Sequence, residues 1–492
     1  MLFNSAHFLI FFPIVLLIYF IIPSKIRYLW LLICSYYFYM CWNAAYVLLI
    51  FFSTFITYLC SLGIEKSKCA WSKKLFLVSD LALNLSILVF FKYFTFIINS
   101  ANHILSKFHL QLSTPTFDIL LPVGISFYTF QALGYTIDVY RKDIYAEHNF
   151  FKYALFVSFF PQLVAGPIER SKNLLTQLAK PSKFDFYNFR DGILLMLWGY
   201  FQKMIIADRI ALFVDSIYDV NSISNYSGFL FVLATFLFAF QIYCDFSGYS
   251  TIAMGCSKIL GITLMENFSC PYLAENVSDF WHRWHISLSS WFRDYLYIPL
   301  GGNRKGKKRK YFNIFITFII SGLWHGASWS YVIWGGINGL YQIIGNILAP
   351  LKTYTAKLLH INSNRLYFKV LKIITTFLLI DFTWIFFRAD SLTSAISIIK
   401  KILMTETFWG PFDDSIFQYG LNLPNFILLF LSIIILFTAD ILKNRHIIIR
   451  EVIQKQHWIF QVLFISFSIW FILVFGVWGK SYDASAFIYF QF

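Results

Sequence analysis

Charge is what this chain has least of. Of its 492 residues 13% are charged, about half the share of an ordinary soluble domain, which excludes a soluble enzyme. With 58% hydrophobic residues, a disordered chain is excluded as well. Cysteine is present but unpatterned. The seven cysteines (Cys34, Cys41, Cys60, Cys69, Cys244, Cys256 and Cys270) include no CxxC and no Cys/His ligand spacing, so neither a zinc site nor a disulfide framework is indicated, and they read as small apolar packers. There is no GxSxG, no P-loop and no cofactor fingerprint. The N-terminus lacks the basic stretch of a cleavable signal, since its first lysine is Lys25, and the apolar run Phe8 to Ile22 therefore reads as a retained first membrane helix.

What is abundant is aromatic surface: 15 Trp, 30 Tyr and 59 Phe, more than an aqueous core could use, which puts most of the length in or against lipid. Further runs of spanning length lie near 28–43, 45–64, 75–98, 119–139, 191–213, 227–248, 371–387, 424–442 and 458–478, with a shorter Pro-broken run at 151–168 and a longer one at 311–349 that breaks in the middle. The net charge of +15 comes from short basic clusters between these runs: Lys25 with Arg27, Lys66 to Lys74, Arg141 with Lys142, Arg304 to Lys310, and Lys443 to Lys455. That is the positive-inside pattern, and with no nucleic-acid-binding motif beside it, nucleic acid is discarded as a partner. All five clusters can be cytoplasmic together, which puts the C-terminus outside, along with the segment 388–423 that carries Asp390, Glu406, Asp413 and Asp414. No internal repeat and no soluble domain is visible, so residues 1–492 read as one integral-membrane domain with an aromatic tail at 481–492.

Two stretches do not read as plain spans. In Ser278 to Asn303 the residues Trp281, Trp284, Leu288, Trp291 and Tyr295 recur at helical spacing, predicting one amphipathic or re-entrant helix at the cytoplasmic interface, ended by Pro299-Leu-Gly-Gly302 and followed by the polycationic loop. On such a helix His282 and His285 share a turn, with Asp279 and Ser289 on the same polar stripe; interfacial anchoring and a functional role both remain open for them, and two histidines make a poor metal site. The other stretch, Ser321 to Trp329, is a small-residue break at membrane depth, where backbone normally lines a cavity. His325 lies inside it. An imidazole at that depth is either a functional group or a neutral ring bonded to a carbonyl freed by the break. Histidines 7, 103, 109, 148, 360, 446 and 457 sit near segment ends and need no special account. Asp245 and Ser247 form a polar island ending an apolar helix, where an intramembrane carboxylate needs a partner or a water-filled cavity. Gln162 lies in the Pro-flanked segment 161–170, which reads as re-entrant. With no other reactive group at depth, the chemistry indicated is proton transfer from a hydroxyl to an imidazole.

The segment from Asp279 through Arg283-Trp-His285-Ile-Ser-Leu-Ser to Gly302-Asn303, followed by Gly322-Leu-Trp-His-Gly326, resembles the membrane-bound O-acyltransferase family. Supporting matches are Pro122-Val-Gly-Ile-Ser-Phe-Tyr-Thr-Phe-Gln131, Gly166-Pro-Ile-Glu-Arg170 and Asp245-Phe-Ser-Gly-Tyr-Ser250. The D-alanyl-transferring branch shares the RWHxSLS core, whereas Tyr297-Ile-Pro-Leu-Gly-Gly-Asn-Arg304 favours the branch that acetylates alginate and peptidoglycan.

The resemblance implies an all-α polytopic membrane protein of about eleven transmembrane helices, with re-entrant and interfacial helices, around a central tunnel. Acetyl-CoA is the expected donor, approaching from the cytoplasm, and no bound cofactor or metal is implied. The acceptor is an extracytoplasmic glycan, reached through an SGNH-type partner protein. His325 matches the family's essential tunnel histidine and His285 its second histidine, and no role carries over to His282. The basic loop 304–310 reads as a positive-inside anchor, with capture of CoA phosphates as the alternative. Tyr489 in the final Phe487-Ile-Tyr-Phe-Gln-Phe492 matches an aromatic C-terminal motif, giving two readings, an interfacial belt or an acyl-carrying tyrosine. A glycan exporter is the rival reading; it is disfavoured by the missing repeat symmetry.

Overall fold

The computed structural model describes residues 1–110, 122–164, 166–180, 182–219, 223, 226–358, 360, 362, 365–404 and 414–478. The aromatic tail 481–492 with Tyr489, and the acidic residues Glu406 and Asp413, lie outside these residues. Among the described residues every regular element is helical, as the all-α reading expects. Among the described residues seven helices are long and apolar enough to cross a membrane, beside the shorter apolar helix Ala6–Ile21. The expected count of about eleven exceeds this because several runs fold as shorter or broken helices.

The chain divides into two compact units, Met1–Met196 with Ile252–Met265, and Leu197–Thr251 with Glu266–Phe492. The first unit is built from α1 (Ala6–Ile21), α2 (Arg27–Met40), α3 (Val47–Lys66), α4 (Ala70–Leu88), α5 (Phe94–Leu105), α6 (Ile125–Arg141), α7 (Phe150–Ser158), α8 (Phe160–Leu163), α9 (Ser171–Leu178) and most of α10 (Phe186–Tyr200). α6 is buried almost all round, which is why its sequence carries Ser126, Thr129, Gln131 and Thr136 without exposing them to lipid. α3 and α4 are held by a buried polar cluster in which Thr57 Oγ1 and Asn84 Nδ2 each donate to Asp80 Oδ1 at 2.9 Å. Such side-chain bonds are a means of helix association where lipid gives no hydrophobic drive.

Two of the motifs quoted above meet in this unit. Gly124 caps α6 at φ 76°, and a Cβ there would stand 2.7 Å from the Leu163 carbonyl oxygen, so both its conformation and its proximity to α8 demand glycine. Gln162 Nε2 then donates to Gln131 Oε1 at 3.0 Å and to the Phe156 carbonyl at 3.0 Å. The Pro-flanked segment is a buried corner here. Ser35 Oγ accepts the Phe160 N–H at 3.1 Å, satisfying a donor that the break between α7 and α8 leaves without a helical partner. Glu169 is fully buried and accepts from the backbone N–H of Met265 and from Asn173 Nδ2; burial pushes its carboxyl above the usual range.

The second unit contains a π-helical turn, Phe201–Ala207, then α11 (Asp208–Tyr218), most of α12 (Gly228–Ile259), α13 (Val277–Arg283), α14 (Ile286–Phe292), α15 (Gly306–His325), α16 (Trp329–Leu358), α17 (Leu366–Arg388), α18 (Leu392–Leu403), α19 (Leu423–Asn444), α20 (Ile449–Gln454) and α21 (Trp458–Phe475). α19 and α21 expose Phe430, Leu431, Phe460, Leu463 and Phe467, an apolar surface that lipid rather than water must cover. The long run 311–349 breaks as expected, into α15 and α16 around residues 326–328. α15, however, begins at Gly306, so Lys307 to Lys310 form its first turn instead of a loop.

The single helix expected over 278–303 is not formed. α13 stops at Arg283, Trp284 is extended (φ −102°, ψ 128°), and His285 takes a left-handed conformation (φ 44°) before α14 starts. His282 and His285 consequently do not share a turn: His282 is exposed with Nδ1 2.6 Å from the Ser278 carbonyl, whereas His285 is buried. The polar stripe dissolves too, since Asp279 Oδ1 accepts from Arg283 Nε at 2.8 Å and Ser289 Oγ donates to the Trp284 carbonyl at 3.3 Å.

Candidate active site

His285 is held by its neighbours in the chain. A non-glycine residue in the left-handed region costs about 1–3 kcal/mol, and the groups just after it supply compensation through Asn267. The Ile286 N–H donates to the Asn267 carbonyl at 2.9 Å. The Ser287 hydroxyl and N–H both donate to Asn267 Oδ1, at 2.6 and 3.3 Å, while Asn267 Nδ2 reaches Ser250 Oγ at 3.3 Å. His285 Nδ1 stands 3.5 Å from Ser287 Oγ, and the ring meets Phe246 edge-on with centroids 4.7 Å apart. Burial pushes this imidazole down to about 3, because a charged ring would lose its hydration there. It is therefore neutral at neutral pH.

His325 is the last residue of α15, where the helical ladder ends and the following backbone turns extended at Gly326 (φ −160°). Its position is set by the crossing of α15 and α16. A Cβ at Gly322 would stand 2.2 Å from the Tyr331 carbonyl oxygen, and one at Gly335 would stand 2.3 Å from that of Phe318. Only glycine lets the two backbones approach this closely. The His325 ring is 5% exposed and packs edge-on against Trp324 at 5.0 Å, Trp334 at 5.2 Å and Phe387 at 5.3 Å.

The two histidines meet through one indole. Trp324 lies 5.0 Å from the His325 ring and 6.0 Å from the His285 ring. Around them Trp281, Trp284, Trp334, Trp384 and Phe387 form a continuous set of ring contacts, with Trp281 to Trp334 at 5.5 Å and Trp284 to Trp384 at 5.1 Å. Trp284, Trp334 and Trp384 are each 1% exposed. The result is an aromatic chamber holding two imidazoles, of which His285 is kept neutral by its burial.

In α12, next to Phe246, the carboxylate expected to need a partner has one. Asp245 Oδ1 accepts from Lys203 Nζ at 2.5 Å, and the same ammonium donates to Asp208 Oδ1 at 2.8 Å, all three side chains 3–4% exposed. Lys203 lies in the long, mostly apolar run 191–213; a lysine at membrane depth is the signal that points to it. It sits in the π-helical turn Phe201–Ala207. A Cβ at Gly248 would lie 2.8 Å from the Gly199 carbonyl oxygen and 3.0 Å from the Lys203 nitrogen, so α12 can approach that turn only through glycine. Ser247 Oγ completes the island with a 3.4 Å bond to Gln202 Oε1.

Residues 144–386 match the MBOAT, membrane-bound O-acyltransferase family. The chain is 38% identical over 397 residues to the probable alginate O-acetylase AlgI of Pseudomonas aeruginosa, covering 80% of this chain and 73% of that protein. It is 34% identical over 437 residues to the peptidoglycan O-acetyltransferase of Helicobacter pylori, covering 82% and 80%. To the teichoic acid D-alanyltransferase of Bacillus subtilis it is 27% identical over 288 residues, covering 57% and 71%. With this breadth of similarity the chain belongs to the membrane-bound O-acyltransferase family and is a multi-pass membrane O-acyltransferase.

Proposed function

We propose that the protein transfers an acetyl group from cytoplasmic acetyl-CoA, through its own interior, for O-acetylation of an extracytoplasmic glycan. The observation that carries this reading is the pair of imidazoles sharing Trp324 inside a buried aromatic chamber. The similarity to alginate and peptidoglycan O-acetylating proteins supports acetyl as the group and a glycan as the final acceptor.

In this mechanism His325 is the general base. An acceptor hydroxyl gives its proton to the imidazole as the oxygen attacks the thioester carbonyl carbon. The tetrahedral oxyanion collapses, the C–S bond breaks, and the imidazolium returns the proton to the CoA thiolate, which restores the neutral ring. His285, neutral because it is buried, carries one N–H and serves the donor carbonyl as a hydrogen-bond donor. Tyr489 is the first acceptor in the fullest form of the reading. Its phenol, with an ordinary pKa near 10, is a poor nucleophile until a base assists it. Acetyl-Tyr489 is then a reactive ester that an SGNH-type partner passes to the glycan.

Purified protein in detergent should release CoA from acetyl-CoA slowly, and His325→Ala should lower that release at least about 100-fold while inserting and purifying normally. Release undiminished by the substitution refutes the base assignment. No release from the intact protein refutes acetyl-CoA as the donor.

A further inference from the structure

The first unit holds a cavity of about 480 Å³ where the connection between α1 and α2 meets the start of α7 and the end of α9. Its charged lining residues are Lys25, Arg27, Lys152 and Lys180, contributed by three separate stretches of chain, and no carboxylate lines it. Arg27 belongs to the frame. Its Nη1 donates to the Ser182 carbonyl at 2.7 Å, its Nε to that of Ile22 at 3.3 Å, and its Nη2 to that of Phe20 at 3.3 Å, so its donors fasten the wall together. The lysines are differently placed. Lys152 is half-buried with its ammonium 5.7 Å from the Tyr28 ring centroid, and Lys25 and Lys180 are exposed at the rim. Cations gathered around a concave space repel one another unless an anion neutralises them.

The setting indicates which anion. α1 leaves Leu17 65% and Ile21 72% exposed in its last two turns, so its lipid-facing surface runs directly up to Ser24 and Lys25 at the cavity. A group there stands at the level where acyl chains give way to headgroups. We propose that this cavity is a binding site for a phosphate anion, filled in the membrane by the headgroup phosphate of an anionic phospholipid whose acyl chains lie along α1. Arg27 holds the wall, and Lys25, Lys152 and Lys180 neutralise the phosphate. This site is independent of the acyl-transfer reading and of the chamber residues.

Native mass spectrometry of the full-length protein, taken from nanodiscs of phosphatidylglycerol or phosphatidylcholine, tests it. The intact protein should retain phosphatidylglycerol selectively, and Lys25→Gln/Lys180→Gln should weaken retention by at least about tenfold, the effect of two juxtamembrane lysines on an anionic headgroup. Lys66→Gln/Lys68→Gln, which removes the same charge from exposed lysines outside the cavity, should retain the lipid. Thermal protection by inorganic phosphate in detergent, lost in the Lys25/Lys180 variant, supports the same phosphate chemistry with a soluble source. Equal retention of both lipids together with no protection by phosphate overturns the proposal. So does equal loss of lipid in both double variants, because that would be a response to overall charge.

Discussion

The crossing of α15 and α16 makes a graded demand on glycine that can be turned into rates. A methyl at Gly322 would lie 2.2 Å from the Tyr331 carbonyl oxygen, against an ordinary contact of 3.4 Å or more. Gly322→Ala therefore forces a separation of roughly 1.2 Å, the difference of those two distances, at a point one turn before His325. A misplacement of about 1 Å at a reacting group costs up to about 100-fold in rate, and overpacking costs about 1–3 kcal/mol in stability. Gly339→Ala is milder, with its methyl 3.2 Å from Phe318 Cβ, and Gly345→Ala meets nothing within 4 Å. The expected order of acetyl transfer is thus Gly345→Ala at the intact rate, Gly339→Ala somewhat slower, and Gly322→Ala slower by one to two orders of magnitude, each about tenfold step corresponding to about 1.4 kcal/mol. Gly345→Ala should also raise the thermal midpoint slightly, since alanine in a helix interior is favoured over glycine by up to about 1 kcal/mol. Transfer from acetyl-CoA, measured beside the thermal midpoint in detergent, reads both. Intact turnover by a folded Gly322→Ala protein would refute the argument that this crossing sets the position of His325.

His285→Ala should reduce turnover or raise the KM for the donor with residual activity remaining, the loss of one polar contact of about 1–3 kcal/mol; unchanged steady-state constants would return the residue to a packing role. The same imidazole predicts an acid limit. Its folded value of about 3 lies below its ordinary 6.5, so between those values the unfolded chain binds a proton that the folded chain does not, and stability falls as pH drops below 6.5. The loss is about 2 kcal/mol at pH 5, and His285→Gln should flatten the fall in thermal midpoint between pH 7.5 and pH 5; an undiminished fall refutes it. Lys203→Met should destabilise by about 3–5 kcal/mol by stranding Asp245 and Asp208, with Lys203→Met/Asp245→Asn partly restored, as judged by thermal midpoints; equal midpoints for the two variants would mean the ion pairs do not govern stability. Tyr489→Phe should stop glycan acetylation while CoA release persists, and normal glycan acetylation by this variant would remove the tyrosine from the reaction.

Much of the membrane architecture is legible because lipid imposes a simple rule: uninterrupted apolar length. The break at 326–328 can be read from the same rule, since small and polar residues interrupt it. What the rule hides is polarity that is satisfied internally. Asp80 and Asn84 lie in the run 75–98 and Lys203 in the run 191–213, and the hydropathy of their neighbours conceals each of them. Their partners Thr57, Asp208 and Asp245 stand 23, 5 and 42 positions away. Asp245 is the easier to see, because Cys244, Ser247 and Ser250 surround it with small polar groups. α6 is hidden for the opposite reason. It is apolar enough to read as a span, yet its burial comes from protein on nearly every side.

His285 shows where helical periodicity misleads. Trp281, Trp284, Leu288 and Trp291 keep a helical spacing across a point where the helix stops, because Trp284, Leu288 and Trp291 are buried and the half-buried Trp281 packs on Trp334. Periodicity reports which side chains are buried; it does not report a single residue in the left-handed region. The break has a chemical consequence. On a continuous interfacial helix His285 would lie beside His282, exposed and within reach of water. With the chain reversed at φ 44°, the ring instead enters the apolar space bounded by Phe246 and Trp324, where it stays neutral. The strain at His285 and the Asn267 clamp that offsets it belong to the same arrangement. Asn267→Ala should therefore act through His285: removing the acceptor of both Ser287 donors should loosen the turn and raise the KM for the donor while leaving His325 in place. A variant whose thermal midpoint falls while KM and turnover remain intact would show that the clamp stabilises the fold and has no part in holding the ring.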